Sequence, residues 1–151
     1  MDSSDKKYSS FEIIPNSKII LCYFQGPTLM EDIININQQF ISHPSYSPEF
    51  DIIMDFRNSN MLVFRIDILE YLGYFKKTVK LKTKVKSAIL LNSMNGEFLF
   101  KTYKAFISLF NIETEKFYQL EDCLKWINAE LNQSKEFHEA LSNLTRKIQE
   151  K

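Results

Sequence analysis

Two short stretches of this chain carry apolar side chains on both faces. In residues 18–25, Ile19, Leu21 and Tyr23 point one way while Ile20, Cys22 and Phe24 point the other. Residues 86–91, with the run Ala88-Ile89-Leu90-Leu91, behave in the same way. Strands without a polar face belong in the middle of a sheet that is covered above and below. Residues 11–14 form a shorter strand, and Pro15-Asn16-Ser17 supplies the turn chemistry that joins it to 18–25 as an antiparallel hairpin ending at Gly26-Pro27. Residues 50–56 and 116–120 are read as two further strands, which brings the sheet to five.

Between the strands the apolar period changes to that of a helix. Thr28 followed by Glu31 has the spacing of a capping box, and Leu29, Ile33, Ile36 and Phe40 recur on one face until His43-Pro44 stops the pattern. Asp67 and Glu70 repeat the capping spacing ahead of Ile68, Leu72, Phe75 and Val79. A third helix is predicted over 96–110, with Leu99, Tyr103, Phe106 and Phe110 on one face, and a fourth over 122–132 with Leu124, Ile127 and Leu131. Ser134 can cap a last helix, where Phe137, Leu141, Leu144 and Ile148 form one narrow seam. A helix between adjacent strands calls for parallel crossovers, so the expected fold is α/β: a mixed, mostly parallel sheet of five strands in sequential order with packed helices. The expected organisation is a loose tail over 1–10, one domain over 11–132 and a C-terminal amphipathic helix over 133–151.

Composition narrows the function more than it names it. With 44% hydrophobic and 25% charged residues in 151, the chain has globular rather than disordered character. Nineteen basic residues balance nineteen acidic ones, so no global positive field drives nucleic-acid or anionic-membrane binding. No apolar run is long enough to span a bilayer, and Met1-Asp2-Ser3-Ser4-Asp5-Lys6-Lys7 lacks the apolar core of a secretory signal, so a cytoplasmic location is expected. Cys22 and Cys123 form neither a metal-binding pair nor a disulfide framework and read as buried small hydrophobes.

The order of elements, the strand Asp51-Ile52-Ile53-Met54-Asp55-Phe56-Arg57 and the segment from Phe117 to Ile127 (FYQLEDCLKWI) resemble the STAS-like, or SpoIIAA-like, superfamily over about residues 11–131. That superfamily includes anti-sigma-factor antagonists, and one branch is compared with lipid-binding Sec14-type domains. The resemblance implies a sheet with strands largely in sequence order and a role in binding proteins or small ligands. In the antagonists, a loop after the central strand presents a phosphorylatable serine at a helix start. Here that stretch is Arg57-Asn58-Ser59-Asn60-Met61, with Ser59 its one hydroxyl, but the Asp-Ser-Ser-Gly wording is missing and the Asp67 cap lies well beyond it. An ordinary turn serine is the plainer reading.

Asp55, Arg57, Asn58, Ser59 and Asn60 are the polar groups expected at the carboxyl end of the sheet, where open α/β sheets place ligands, and they form the candidate ligand or partner site. For Asp55 the plainer reading is structural, holding Arg57 and the loop backbone. Lys76, Lys77, Lys80, Lys82, Lys84 and Lys86 form a basic run that reads as a solvated loop. Two helices crowded with aromatics, Tyr71, Tyr74 and Phe75 in one and Phe98, Phe100, Tyr103, Phe106 and Phe110 in the other, either pack the core or line a groove for an apolar ligand. His43 and His138 have no recognisable catalytic or metal-binding partner, and Gly26, Gly73 and Gly96 build no phosphate loop. No catalytic residue, metal or cofactor is therefore expected, and the chain is read as a non-enzymatic module acting through an unidentified protein partner. The alternative is a carrier of a lipid or other apolar small molecule. If the crossovers are right-handed, three helices gather on one face of the sheet, and the second face must be covered by the last helix or by another copy of the chain, a homodimer through the seam of Phe137, Leu141, Leu144 and Ile148.

Overall fold

In a computed structural model, which describes residues 6–78, 84–92, 96–127 and 134–149, five strands form one sheet in the order β1-β2-β3-β4-β5. These are β1 (Tyr8–Ile14), β2 (Ile19–Thr28), β3 (Asp51–Met61), β4 (Val85–Leu90) and β5 (Ile112–Phe117). β1 and β2 are antiparallel, and every later pairing is parallel. The crossover helices are α1 (Met30–Ile41), α2 (Arg65–Thr78) and α3 (Glu97–Ile107), and α4 (Leu120–Ile127) and α5 (Ser134–Gln149) follow the last strand.

The two-sided strands explain the layering. Ile20, Cys22 and Phe24 of β2 bury against α1, α2 and α3, while Ile19, Leu21 and Tyr23 bury against α4 and α5. Strands placed in sequence order with crossovers of one hand put all three connecting helices on one face. The second face is closed by the chain itself: Phe137 and Leu144 of α5 are fully buried beside Leu120, Cys123 and Leu124 of α4. The seam proposed for a homodimer is therefore spent on the protein's own sheet, with Leu141 packed at its margin. The side chain of Ile148 lies outside the described residues, as do Val79, Leu131 and the side chains of Phe98 and Phe106.

Several boundaries differ from those expected. β1 begins at Tyr8, which takes three residues from the predicted tail, because Tyr8–Ser10 pair with Phe24 and its neighbours. β2 continues through Gly26 and Pro27 to Thr28. Proline is tolerated there because β1 has ended, so β2 has a strand neighbour on one side only. Gly26 has φ +71°, and a Cβ on it would lie 2.8 Å from the carbonyl oxygen of Lys6, so only glycine fits this crossing.

Both predicted caps are displaced. The α1 N-cap is Leu29, whose N–H donates to Asp32 Oδ2 at 2.8 Å, and Phe64 N–H donates to Asp67 Oδ2 at 2.7 Å at the head of α2. In each case a carboxylate in the first turn reaches back to the cap backbone, and the hydroxyl half of the box is absent. Helix α3 ends at Ile107 in a short 3-10 turn that Asn111 terminates in the left-handed conformation, φ 62°. β5 starts immediately after it, four residues earlier than expected, and α4 starts at Leu120 rather than residue 122.

Candidate functional site

The site predicted on a loop lies on a strand. β3 runs to Met61, so Asn58, Ser59, Asn60 and Met61 are paired with β2 rather than free, and Arg57 sits within the strand. Pairing is not uniform: Tyr23 faces Asp55, but Gln25 faces Asn58, so β3 carries one extra residue between them. A bulge of this kind turns every later side chain to the opposite face from the one simple alternation would give.

Asp55 organises the bulge. Its carboxylate, 2% exposed, accepts from the Arg57 backbone N–H at 3.0 Å, from Nε at 3.0 Å and from Nη2 at 2.9 Å. The extra residue thus has its amide donor satisfied by a side chain where the ladder is disturbed. The same carboxylate pairs with the Arg57 guanidinium in two-pronged geometry, and these bonds make the guanidinium hold its own proton more firmly than usual. Asn92 closes the neighbouring strand end by donating from Nδ2 to the Arg57 carbonyl at 2.7 Å.

The bulge divides the five predicted residues. Asp55 and Arg57 lie on the α4 side, and Asn58 donates from Nδ2 to the Tyr23 hydroxyl at 3.1 Å, which in turn donates to Gln25 at 2.9 Å. Burial raises the Tyr23 hydroxyl's pKa, partly offset by the Asn58 bond. Ser59 instead donates to Thr28 Oγ1 at 2.6 Å, and Thr28 passes the bond on to the Gly26 carbonyl at 3.1 Å. Ser59 is thus a half-buried strand residue tied to β2, and α2 begins only at Arg65, so the serine does not stand at a helix start. Ser59 and Asn60 line a cleft of about 220 Å³ at the carboxyl ends of β3 and β4, together with Asn92, Met61 and Leu99.

Two further features lie beside the cleft, an exposed apolar cluster that the sequence did not suggest and a small cavity among the aromatic helices, of which Tyr71, Phe100 and Tyr103 line the wall. Just after β3, Leu62 and Phe64 and, on α2, Ile66 and Leu69 are 41%, 70%, 66% and 51% exposed, although Ile68, Leu72 and Phe75 of α2 are buried as the periodicity predicts. On the face of the sheet that α1, α2 and α3 cover, a cavity of about 60 Å³ is walled by residues such as Met54, Val63, Ile68 and Phe100. Its polar neighbours are engaged: Asn37 Nδ2 donates to the Ile33 carbonyl at 3.0 Å and to the Tyr71 hydroxyl at 3.2 Å. Burial keeps the Tyr71 and Tyr103 hydroxyls protonated, with Tyr103 pushed up to about 12.

The other candidate groups have structural partners. Lys86 Nζ donates to the Trp126 carbonyl at 2.8 Å near the end of α4 and lies 5.2 Å from the Trp126 ring, and Lys84 faces Glu113 at 3.8 Å. The basic run is thereby divided, while Lys80 and Lys82 fall outside the described residues. His138 pairs with Glu121 at 3.2 Å, and the His43 ring accepts from the Ser45 N–H. Both cysteines are buried as expected; burial raises the Cys22 thiol's pKa and pushes that of Cys123 up to about 12. No helix among the described residues is long and apolar enough to cross a membrane.

Neither a protein-family model nor a curated protein matches this chain. A solved structure does match: an uncharacterized protein of the DUF3478 family with a SpoIIAA-like fold, from Shewanella loihica PV-4, at a TM-score of 0.55. The two chains are 16% identical, and the match covers 82% of this chain and 97% of that one. The fold is SpoIIAA-like. At this identity the likeness concerns architecture, and in this chain α4 and α5 cover the second face of the sheet.

Proposed function

We propose that the protein is a non-catalytic binding module that acts through protein–protein contact, with Leu62, Phe64, Ile66 and Leu69 as the contact surface. The observation that carries this reading is the exposure of four large apolar side chains within eight residues, at the carboxyl end of a SpoIIAA-like sheet. Scattered apolar residues on a surface are ordinary, whereas a cluster of them marks a place where another surface fits. Ile66 and Leu69 stand three residues apart on α2 and so share one side of it, away from the buried Ile68, Leu72 and Phe75. The exposed Glu70, four residues from Ile66, adds an acidic rim. A partner with an apolar centre flanked by basic side chains suits this surface. The bulge supports the role by bracing the strand end from which the surface springs, through Asp55 and Arg57.

Site-specific photo-cross-linking in the native host tests it. A photoreactive residue at position 66 is expected to capture one discrete protein species. The same residue at Glu139, exposed on the opposite side of the molecule, serves as control. Equal patterns from both positions would overturn the reading. The double variant Phe64→Ser with Ile66→Ser should keep the melting temperature and lose the cross-link introduced at position 69.

A further inference from the structure

The inner cavity and the cleft adjoin each other. Phe56, Met61, Leu91, Gly96 and Leu99 line both, so the cavity of about 60 Å³ is separated from the cleft of about 220 Å³ only by a shared apolar wall. By volume the cavity has room for several waters at roughly 10–15 Å³ each, but its walls are apolar and the nearby Asn37 and Tyr71 are already bonded to each other. Water therefore gains little there, and the wall atoms forgo contacts that an apolar group would supply. The outer cleft has the opposite character. Ser59, Asn60 and Asn92 give it hydroxyl and amide groups, and no charged side chain lines it among the described residues.

We infer that the adjoining cavity and cleft together bind a small uncharged amphiphile, whose short alkyl chain or single ring displaces the shared side chains to enter the inner cavity while its amide or hydroxyl head rests against Ser59, Asn60 and Asn92. An uncharged head follows from the lining: a carboxylate or ammonium would leave water for a site that offers it no counter-charge, whereas hydroxyls and amides can both donate to and accept from a neutral head. Ser59 already donates to Thr28, so it serves the head as an acceptor, and the exposed Asn60 amide offers both donor and acceptor. The bulge in β3 is what makes the combination: it turns Ser59 to the side of Thr28 and Met61, toward the apolar cavity, rather than toward Asp55.

Amide chemical shifts of the isotope-labelled full chain, titrated with four probes, test this. Hexanamide is expected to shift the backbone signals of Met61, Leu91 and Gly96 saturably, and acetamide, which has the head without the tail, is expected to leave them in place. Hexanoate and hexylammonium should bind at least about tenfold more weakly, since each must bring a charge into an uncharged cleft. Val63→Phe and Ile89→Phe each fill the inner cavity and should abolish the hexanamide response. If either variant fails to fold, the comparison of hexanamide with acetamide on the unmodified chain still decides. The inference is overturned if hexanamide and acetamide act alike, if no probe shifts the three signals at millimolar concentration, or if the charged probes bind as well as the amide. Shifts confined to Phe64, Ile66 and Leu69 would likewise overturn it while leaving the protein-contact surface standing.

Discussion

Replacing Phe137 by alanine separates a helix that closes the protein's own sheet from one that seats a second copy. The Phe137 ring is completely buried, with Leu144 and Ala140 beside it over Ile14, Ile19 and Leu21. Truncating a buried phenylalanine costs about 3–5 kcal/mol, combining lost transfer energy with the cavity left behind. Against a total stability of about 5–15 kcal/mol for a domain, that is a large fraction. With a urea m-value of about 2 kcal/mol per molar, the midpoint should fall by roughly 1.5–2.5 M. Trp126 reports the transition well, since its ring packs 5.5 Å from Phe117 on the face that α4 and α5 cover. Leu144→Ala should cost about 2–5 kcal/mol and the half-buried Leu141→Ala less, whereas Glu139→Ala on the exposed side should stay within about 0.5 kcal/mol. All midpoints should be independent of protein concentration, and light scattering should give the monomer mass for wild type and variants alike. A Phe137→Ala cost below about 1 kcal/mol, or a midpoint that rises with protein concentration, would refute the reasoning, because each means that the seam faces something other than the sheet.

Asp55→Ala strands a backbone donor and a guanidinium together, so urea unfolding should show a loss of about 2–3 kcal/mol, moderated because Arg57 is 30% exposed and can turn to water; adding Arg57→Ala should return part of it, giving a coupling energy of about 1–2 kcal/mol. Asn37→Ala removes the bonds to the Ile33 carbonyl and the Tyr71 hydroxyl, and the melting curve should reveal about 1–3 kcal/mol of lost stability. Gly26→Ala meets both a left-handed φ and the Lys6 carbonyl, and hydrogen exchange at the start of β1 should quicken along with a global loss of about 1–2 kcal/mol. Because burial raises the pKa of both thiols, neither forms thiolate up to pH ~9; an aromatic disulfide reagent should therefore label neither cysteine in the native protein and both in denaturant, and fast native labelling would contradict the burial of Cys22 and Cys123.

The sheet was legible because its central strands lack a polar face and its helices announce themselves by period. Ile19 to Phe24 and Ala88 to Leu91 could only be central, and with crossovers of one hand the allocation of α1, α2 and α3 to a single face follows. The boundaries failed where a local signal had two readings. Thr28 looks like a cap, yet its hydroxyl bonds the Gly26 carbonyl while Asp32 satisfies the α1 end, one residue out of register with the expected box. The Ile112-Glu-Thr-Glu-Lys-Phe117 alternation was the visible sign of β5, but it is polar on one side, as suits a strand at the edge of the sheet, and the helix pattern reaching Phe110 concealed it.

The bulge was not legible at all, and the site depends on it. No glycine marks the passage from Asp55 to Asn58, and the device that permits the extra residue is a carboxylate two positions back, a bond that has no sequence signature apart from Asp55 and Arg57 themselves. Strict alternation would place Asp55, Arg57 and Ser59 on one face as a single polar cluster, which is the arrangement the sequence suggests. With one residue inserted, the charged pair stays under α4, where it braces the strand, and Ser59 turns with Met61 toward the helices, where apolar space lies behind it. A charged cluster would have favoured an anion or a catalytic role. The divided arrangement instead leaves a neutral cleft with a greasy interior, and deleting Arg57 removes the extra residue while keeping Asn58 opposite Gln25 and Ser59 opposite Gly26, so in a chain that remains folded Ser59 should stay on the side of Thr28 and the cleft should still take hexanamide.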